Sequence, residues 1–337
     1  MYKIILYDKN AFEITENLDD LQKDSSRKKW IDLIDPTQEE VKKIQEIFAI
    51  DSDALEQYFN GSKKPEIRTL DNQRFIILVD LNYKKLDALE KEGLYIFQGI
   101  DWLVTIHSST FKLFEDITKN LKHKNQIIQS SINMLFNYIL FTIINKYERV
   151  LTAIEISTSE FSKKALFSKS SKKILIDVDT LSRQIIILRR YFWQVRDIIN
   201  FILNTIEEEN KEDIKFLKIV HDDIDQLMFM VESHKESINS IRELYIANVS
   251  LQLDDTVKTL TIFSAILLPL TFLTSLYGMN GLDLNQLGNI PPGLGVILLI
   301  MSFILISLLL FFKRKQWIFV KNLTEEKEEK EAKKKRE

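Results

Sequence analysis

The chain has no cysteine. Disulfides, thiolate metal sites and cysteine nucleophiles are therefore excluded. No G-x-x-x-x-G-K phosphate loop occurs, and no Ser/His/Asp or metal-ligand constellation emerges, so an enzyme is not expected. Charge of one sign is not in excess. Lys and Arg number 46 against 49 Asp and Glu, for a formal net charge of −3, whereas a nucleic-acid binder usually shows a strongly basic domain. The start, MYKIILYDKNAFEI, holds only a short apolar patch before its charges, so no secretory signal peptide is expected there.

Proline and glycine are missing over a long interval. No proline lies between Pro65 and Pro269, and no glycine between Gly99 and Gly278. With helix formers dominating, this predicts long helices over 128–165, 171–207 and 211–276, broken near LFSKSSKK and EEENKED. Ahead of them the pattern alternates. YKIILY, KWIDLI, RFIILVDL, GLYIFQ and DWLVTIH read as strands. Asp35-Pro36-Thr37 opens a helix, with Thr37 and Glu40 spaced as a capping box and Val41, Ile44, Ile47 and Phe48 on one face, and SDALEQYF is a second helix ended by Asn60-Gly61. An α/β domain over 1–125 follows.

Charge itself is missing from Leu260–Leu276 and Leu294–Phe312, although 28% of the chain is charged. Each run is long enough to cross a hydrocarbon core about 30 Å thick, which takes roughly 17–25 helical residues. The segment between them, Tyr277 to Gly293, has no basic residue, whereas Lys258 precedes the first run and Lys313, Arg314 and Lys315 close the second. By the positive-inside rule both termini face the cytoplasm and the loop faces outward.

The third long helix carries a seam. Leu217, Val220, Ile224, Leu227, Val231, His234, Ile238, Ile241 and Tyr245 fall at alternating three- and four-residue steps. Two readings stay open: packing on neighbouring helices of the same chain, or assembly between chains. The same rhythm continues into the first apolar run as Asp254, Val257, Leu260, Ser264, Leu268, Thr271 and Ser275. A stripe mixing small polar and large apolar side chains suits a surface facing something other than lipid, although a hydroxyl bonding back to its own helix is the ordinary alternative.

Specific residues now carry a resemblance. A long charged helix runs into KTLTIFSAILLPLTFLTSLYGMN, followed by a short outer loop, a second span and the basic cluster KRKQW. This order resembles the CorA family of divalent-cation channels, through Lys258, Pro269, Leu270, Thr271, Phe272 and above all Tyr277-Gly278-Met279-Asn280, the family's signature at the outer end of the first span. WIDL and KKPEIR sit where the family's cytoplasmic α/β domain carries comparable strings, so the resemblance covers the whole chain. It implies a funnel-shaped homopentamer made of an N-terminal α/β domain, long stalk helices and two C-terminal transmembrane helices. The expected divisions are 1–125 α/β domain, 126–258 stalk, 259–277 first span, 278–293 periplasmic loop, 294–312 second span and 313–337 charged tail.

The resemblance also implies roles. Tyr277, Gly278, Met279 and Asn280 would form the selectivity filter, where five Asn280 amide oxygens contact the water shell that Mg²⁺ holds tightly. Val257 and Leu260 match a hydrophobic constriction that closes by dewetting, Leu268 a second narrowing, and Ser264, Thr271 and Ser275 line the pore between and beyond them. Asp254, or Asp255 if the register is off by one, would form a carboxylate ring below the gate. Sensing of internal Mg²⁺ falls to acids between neighbouring subunits, for which Asp87, Glu90 and Glu92 on the α/β domain and Asp222, Asp223 and Asp225 on the stalk are the candidates. The ion the resemblance implies, for transport and for regulation, is Mg²⁺; no organic cofactor is expected, and the expected partners are further copies of the chain, lipids and divalent cations.

The outer loop departs from the family, offering one acid, Asp283, in place of an MPEL-like segment. A reduced, Gly-rich loop also occurs in the ZntB zinc branch, so Zn²⁺, Co²⁺ and Ni²⁺ are alternatives. No His or Cys lies in the spans or loop, however, and the nitrogen and sulfur ligands that favour Zn²⁺ are missing. His107, His123, His221 and His234 do not cluster, and the mixed-charge tail is expected to be solvated or to touch anionic headgroups. The rival from another class is a membrane-anchored structural or signalling protein.

Overall fold

The computed structural model describes residues 2–8, 12–18, 21, 27–70, 72–85, 88–109, 111, 113–122, 130–167, 172–205, 211–278 and 293–318. In chain order the strands are β1 (Tyr2–Tyr7), β2 (Phe12–Thr15) and β3 (Lys28–Ile34), then helices α1 (Gln38–Phe48) and α2 (Ser52–Phe59), then β4 (Glu66–Leu70), β5 (Gln73–Lys85), β6 (Ala88–Gln98) and β7 (Trp102–His107). Helices α3 (Leu113–Lys122), α4 (Ile132–Phe167), α5 (Lys172–Thr205), α6 (Lys211–Gly278) and α7 (Gly293–Arg314) complete the chain. It divides into two compact units, Met1–Tyr245 and Ile246–Glu337.

The seven strands form one sheet in the order β2-β1-β3-β7-β6-β5-β4, antiparallel throughout except for the parallel pair β3 and β7. Ile4, Leu6, Ile31, Leu33, Phe75, Ile77, Phe97, Val104 and Ile106 turn to one face and pack with Val41, Ile44, Ala54 and Leu55 of α1 and α2. The alternate residues turn to the other face, where Trp30 meets Phe114 of α3 and the Tyr147 hydroxyl of α4 donates to the Val79 carbonyl. Cover on both faces is why RFIILV reads as a continuous apolar run.

Local chemistry fixes the connections. Thr37 caps α1 in a complete capping box with Glu40, whose carboxyl is held below its usual range chiefly by the Thr37 N–H. Gly61 takes φ +64 after α2, where a side chain would be strained. In the β6–β7 turn Gly99 donates to the Trp102 carbonyl at 2.9 Å, and a Cβ there would lie 2.2 Å from the Trp102 indole nitrogen.

The three long helices end within four residues of the spans predicted from missing proline and glycine. Three elements add to the expected pattern. Strands β2 and β4 are short, polar edge strands, and α3 keeps Phe114, Ile117 and Leu121 buried against the sheet.

Candidate functional site

Along the first part of α6 the seam is covered within the chain. Leu217, Val220, Ile224, Leu227, Val231, Ile238, Ile241 and Tyr245 are buried. The neighbours are α4, through Phe216 against Phe141 and Ser131 on Asp213, and α5, through Arg189–Glu232 at 2.6 Å, Arg196–Asp225 at 3.0 Å and Arg242–Asp179 at 3.7 Å. Intrachain packing thus accounts for this part of the rhythm. His234 is half-buried on it. Its Nε2 has no partner among the described residues, and burial pulls the imidazole below its ordinary value.

From Ile246 onward most of the same helix is exposed. Val257 is 61% exposed, Leu260 67% and Leu268 69%, and Asp254, Ser264, Thr271 and Ser275 are exposed as well. One stripe is half-covered: Ile262, Ala265, Ile266, Pro269, Leu270 and Leu273. At about 100° per residue, Val257, Leu260, Ser264, Leu268, Thr271 and Ser275 fall within an arc of about 80° centred nearly opposite that stripe. Helix α7 has a matching half-covered stripe, Ile297, Met301, Ile304, Leu305 and Leu308, ending in buried Phe312. Two helices packed along one seam leave such stripes. The mixed polar and apolar stripe is the face that such a seam does not use.

The same geometry places the two acids differently. Asp254 lies about 80° from the centre of the bare stripe, whereas Asp255 falls on the half-covered side and pairs with Lys258 at 3.2 Å. The Thr271 hydroxyl donates to the Leu267 carbonyl at 2.8 Å, the back-bonding alternative, which leaves its oxygen lone pairs as acceptors. Pro269 lies inside the helix and supplies no N–H. Gly278 is the last helical residue, with nothing within 4 Å of a Cβ placed on it, whereas Met279 and Asn280 lie outside the described residues. Two helices, α6 and α7, are long and apolar enough to cross a membrane.

The predicted sensing acids sit on separate elements. On β6, Glu90 pairs with Lys84 at 2.8 Å, and Glu92 accepts from the Ser108 hydroxyl at 3.2 Å with Lys63 at 4.0 Å. On α6, Asp225 is taken by Arg196, whereas Asp222 is 86% exposed. Asp223 is pushed above the usual carboxylate range by burial and by the charges of Asp222 and Glu148. Asp87 lies outside the described residues. Among the described residues no group of three or more His, Asp or Glu is placed to hold a metal ion.

Two buried polar pairs on the sheet were not legible in sequence. His107 Nε2 lies 3.0 Å from Asp32 Oδ1 and its Nδ1 lies 2.7 Å from the Ser108 carbonyl, so both nitrogens face acceptors. Burial works against the charged ring, but the Asp32 and Ser108 bonds outweigh it and raise the value. Asp80, 5% exposed, bonds Lys146 of α4 through Oδ2, and its Oδ1 has no partner among the described residues.

The family model described as CorA-like Mg2+ transporter protein matches residues 25–314. The chain belongs to the CorA family. It is 24% identical over 300 residues to the cobalt/magnesium transport protein CorA of Thermotoga maritima, covering 88% of this chain and 85% of that one. Its fold matches the complete structure of the CorA magnesium transporter from Methanocaldococcus jannaschii with a TM-score of 0.81 at 21% identity, over 94% of this chain and 99% of the other. The ZntB cytoplasmic domain from Vibrio parahaemolyticus matches at 0.58 and 13% identity, over 73% and 98%. As in CorA, an N-terminal α/β domain is followed by a long helix and a C-terminal apolar helix. The two apolar helices fit the membrane setting of the family.

Proposed function

We propose that the chain forms a homopentameric channel that conducts divalent cations, foremost Mg²⁺ and also Co²⁺ and Ni²⁺, into the cell. The observation that carries this reading is the bare stripe on α6 opposite the half-covered one: five copies around an axis would give Val257, Leu260, Ser264, Leu268, Thr271 and Ser275 a common lumen. The termini lie in the cytoplasm, consistent with basic residues at the inner ends of both spans. Entry is driven by the membrane potential, since about 2.3 kcal/mol per elementary charge per 100 mV gives a divalent ion about 4.6 kcal/mol.

Asn280 rings the outer mouth with neutral amide oxygens that contact the ion's retained waters and do not trap it as a carboxylate ring would. Leu260 and Val257 close the inner end by dewetting. Mg²⁺ bound between subunits at Glu90, Glu92 and Asp87 of one and Asp222, Asp223 and Asp225 of the next holds the closed state, and its loss lets like charges push the subunits apart. A ZntB-type Zn²⁺ transporter would follow the same architecture, but the stripe offers oxygen donors and no imidazole or thiolate. The test is Mg²⁺ influx into proteoliposomes. Wild type should conduct and Asn280→Ala should fall at least ten-fold; background flux in both points to a membrane anchor instead.

A further inference from the structure

Where β4 and β6 end and β5 begins, Thr69, Arg74 and Gln98 stand side by side across three strands, since Thr69 pairs with Arg74 and Arg74 with Gln98 in register. Together with Gln73 and with Asn133, the second residue of α4, they line a cavity of about 430 Å³ that has no acidic lining residue among the described residues. This volume is within the range of small-molecule sites. None of these residues takes part in the proposed cation path.

Two groups in this cavity are left wanting. The Arg74 guanidinium is half-buried, no carboxylate among the described residues pairs with it, and burial alone pulls it below its ordinary value. Gln98 is 4% exposed; its Nε2 donates to Asn133 Oδ1 at 2.6 Å, while its Oε1 is buried without a partner among the described residues. Gln73, next to Arg74 in β5, turns instead to the opposite face with Phe75, where its Nε2 donates to the Ala49 carbonyl at 3.0 Å. A desolvated guanidinium fork thus asks for an anion, and the amide oxygen of Gln98 beside it asks for a hydrogen-bond donor. Water satisfies the oxygen but brings no counter-charge to the guanidinium. Asp213 does not supply one, since it takes its hydrogen bonds from Ser131 and Asn133.

A ligand that answers both needs is an oxoanion that keeps a proton. The bare oxygens of a phosphate accept from the planar guanidinium, in the geometry Arg favours, and its P–OH donates to an amide oxygen. Sulfate, which has no proton at neutral pH, presents only acceptors and meets the Gln98 amide oxygen with lone pair against lone pair. We propose that this cavity binds a protonated oxoanion of the phosphate class, free or as a phosphomonoester, with Arg74 holding the charge and Gln98 reading the proton.

The experiment is isothermal titration calorimetry on the full-length protein in detergent, in phosphate-free buffer, with inorganic phosphate, glycerol 3-phosphate and sulfate as titrants. The expected result is saturable binding of about one phosphate per chain, at least ten-fold tighter than sulfate; the tighter of the two phosphate compounds identifies the source. Arg74→Gln should weaken phosphate at least ten-fold. Gln98→Met, close in size, should bring phosphate down to the sulfate level and serves where Arg74→Gln does not fold. No saturable heat with either phosphate compound, equal affinity for sulfate, or binding untouched by the substitutions overturns the proposal.

Discussion

Replacing Lys146 by Met tests how α4 is fastened to the sheet. Lys146 is the only group that an ion pair brings to Asp80 among the described residues, and Asp80 keeps 6% side-chain exposure against 29% for Lys146. Removing one partner of a buried pair costs about 3–5 kcal/mol, because the other charge stays buried and unpaired. Water reaching Lys146 already screens part of the interaction, so about 2–3 kcal/mol is expected at pH 8. Asp80→Leu with Lys146→Met removes both charges and should lie within about 1 kcal/mol of wild type.

The sign with pH follows from Asp80. Burial raises its carboxyl above the ordinary range, and the Lys146 bond works in the opposite direction. Without Lys146 the folded value rises further. A carboxyl with a folded value above the unfolded one (about 3.9) costs nothing while protonated in both states and costs progressively more as pH climbs from the unfolded value through the folded one. The Lys146→Met defect should therefore be smaller at pH 5 than at pH 8. Urea unfolding of the full-length protein in detergent, followed by tryptophan fluorescence at both pH values, measures it as a midpoint shift at constant slope. A single substitution within about 0.5 kcal/mol of wild type, or an equal defect at both pH values, refutes the reasoning.

His107 gives the opposite slope. Its value is raised, so the stability it contributes is complete below the unfolded value of about 6.5 and is lost as pH rises through the folded one; Asp32→Asn should flatten the difference between unfolding midpoints at pH 6 and pH 9. Leu260→Asn should wet the inner constriction and raise Mg²⁺ influx at high internal Mg²⁺ several-fold over wild type, read in proteoliposomes preloaded with Mg²⁺.

The fold was legible where the chain's physics is local. Missing proline and glycine marked α4, α5 and α6 because either residue inside a helix costs propensity everywhere it occurs. Thr37 and Glu40 announced a start because a capping box is a four-residue device. Strands β2 and β4 escaped because FEIT and EIRTL are short edge strands whose polar residues face solvent or pair locally, Glu13 with Arg27 and Glu66 with Arg68, and α3 escaped although Phe114, Ile117 and Leu121 are spaced for one face. The bare stripe was readable as a rhythm, and so was its phase. What faces it was not, because nothing among the described residues of one chain covers it. The pairs Asp80–Lys146 and Asp32–His107 join residues 66 and 75 positions apart, so no local pattern announces them.

The absence of cysteine supplies the most direct test of the proposed pore. In a chain that has no thiol, Ser264→Cys places one on the bare stripe and Ile266→Cys places one on the half-covered stripe. Mg²⁺ influx into liposomes is then measured before and after a charged, membrane-impermeant thiol reagent. The account predicts that Ser264→Cys drops to background while Ile266→Cys and wild type are unchanged; block at Ile266→Cys with Ser264→Cys unaffected would contradict it.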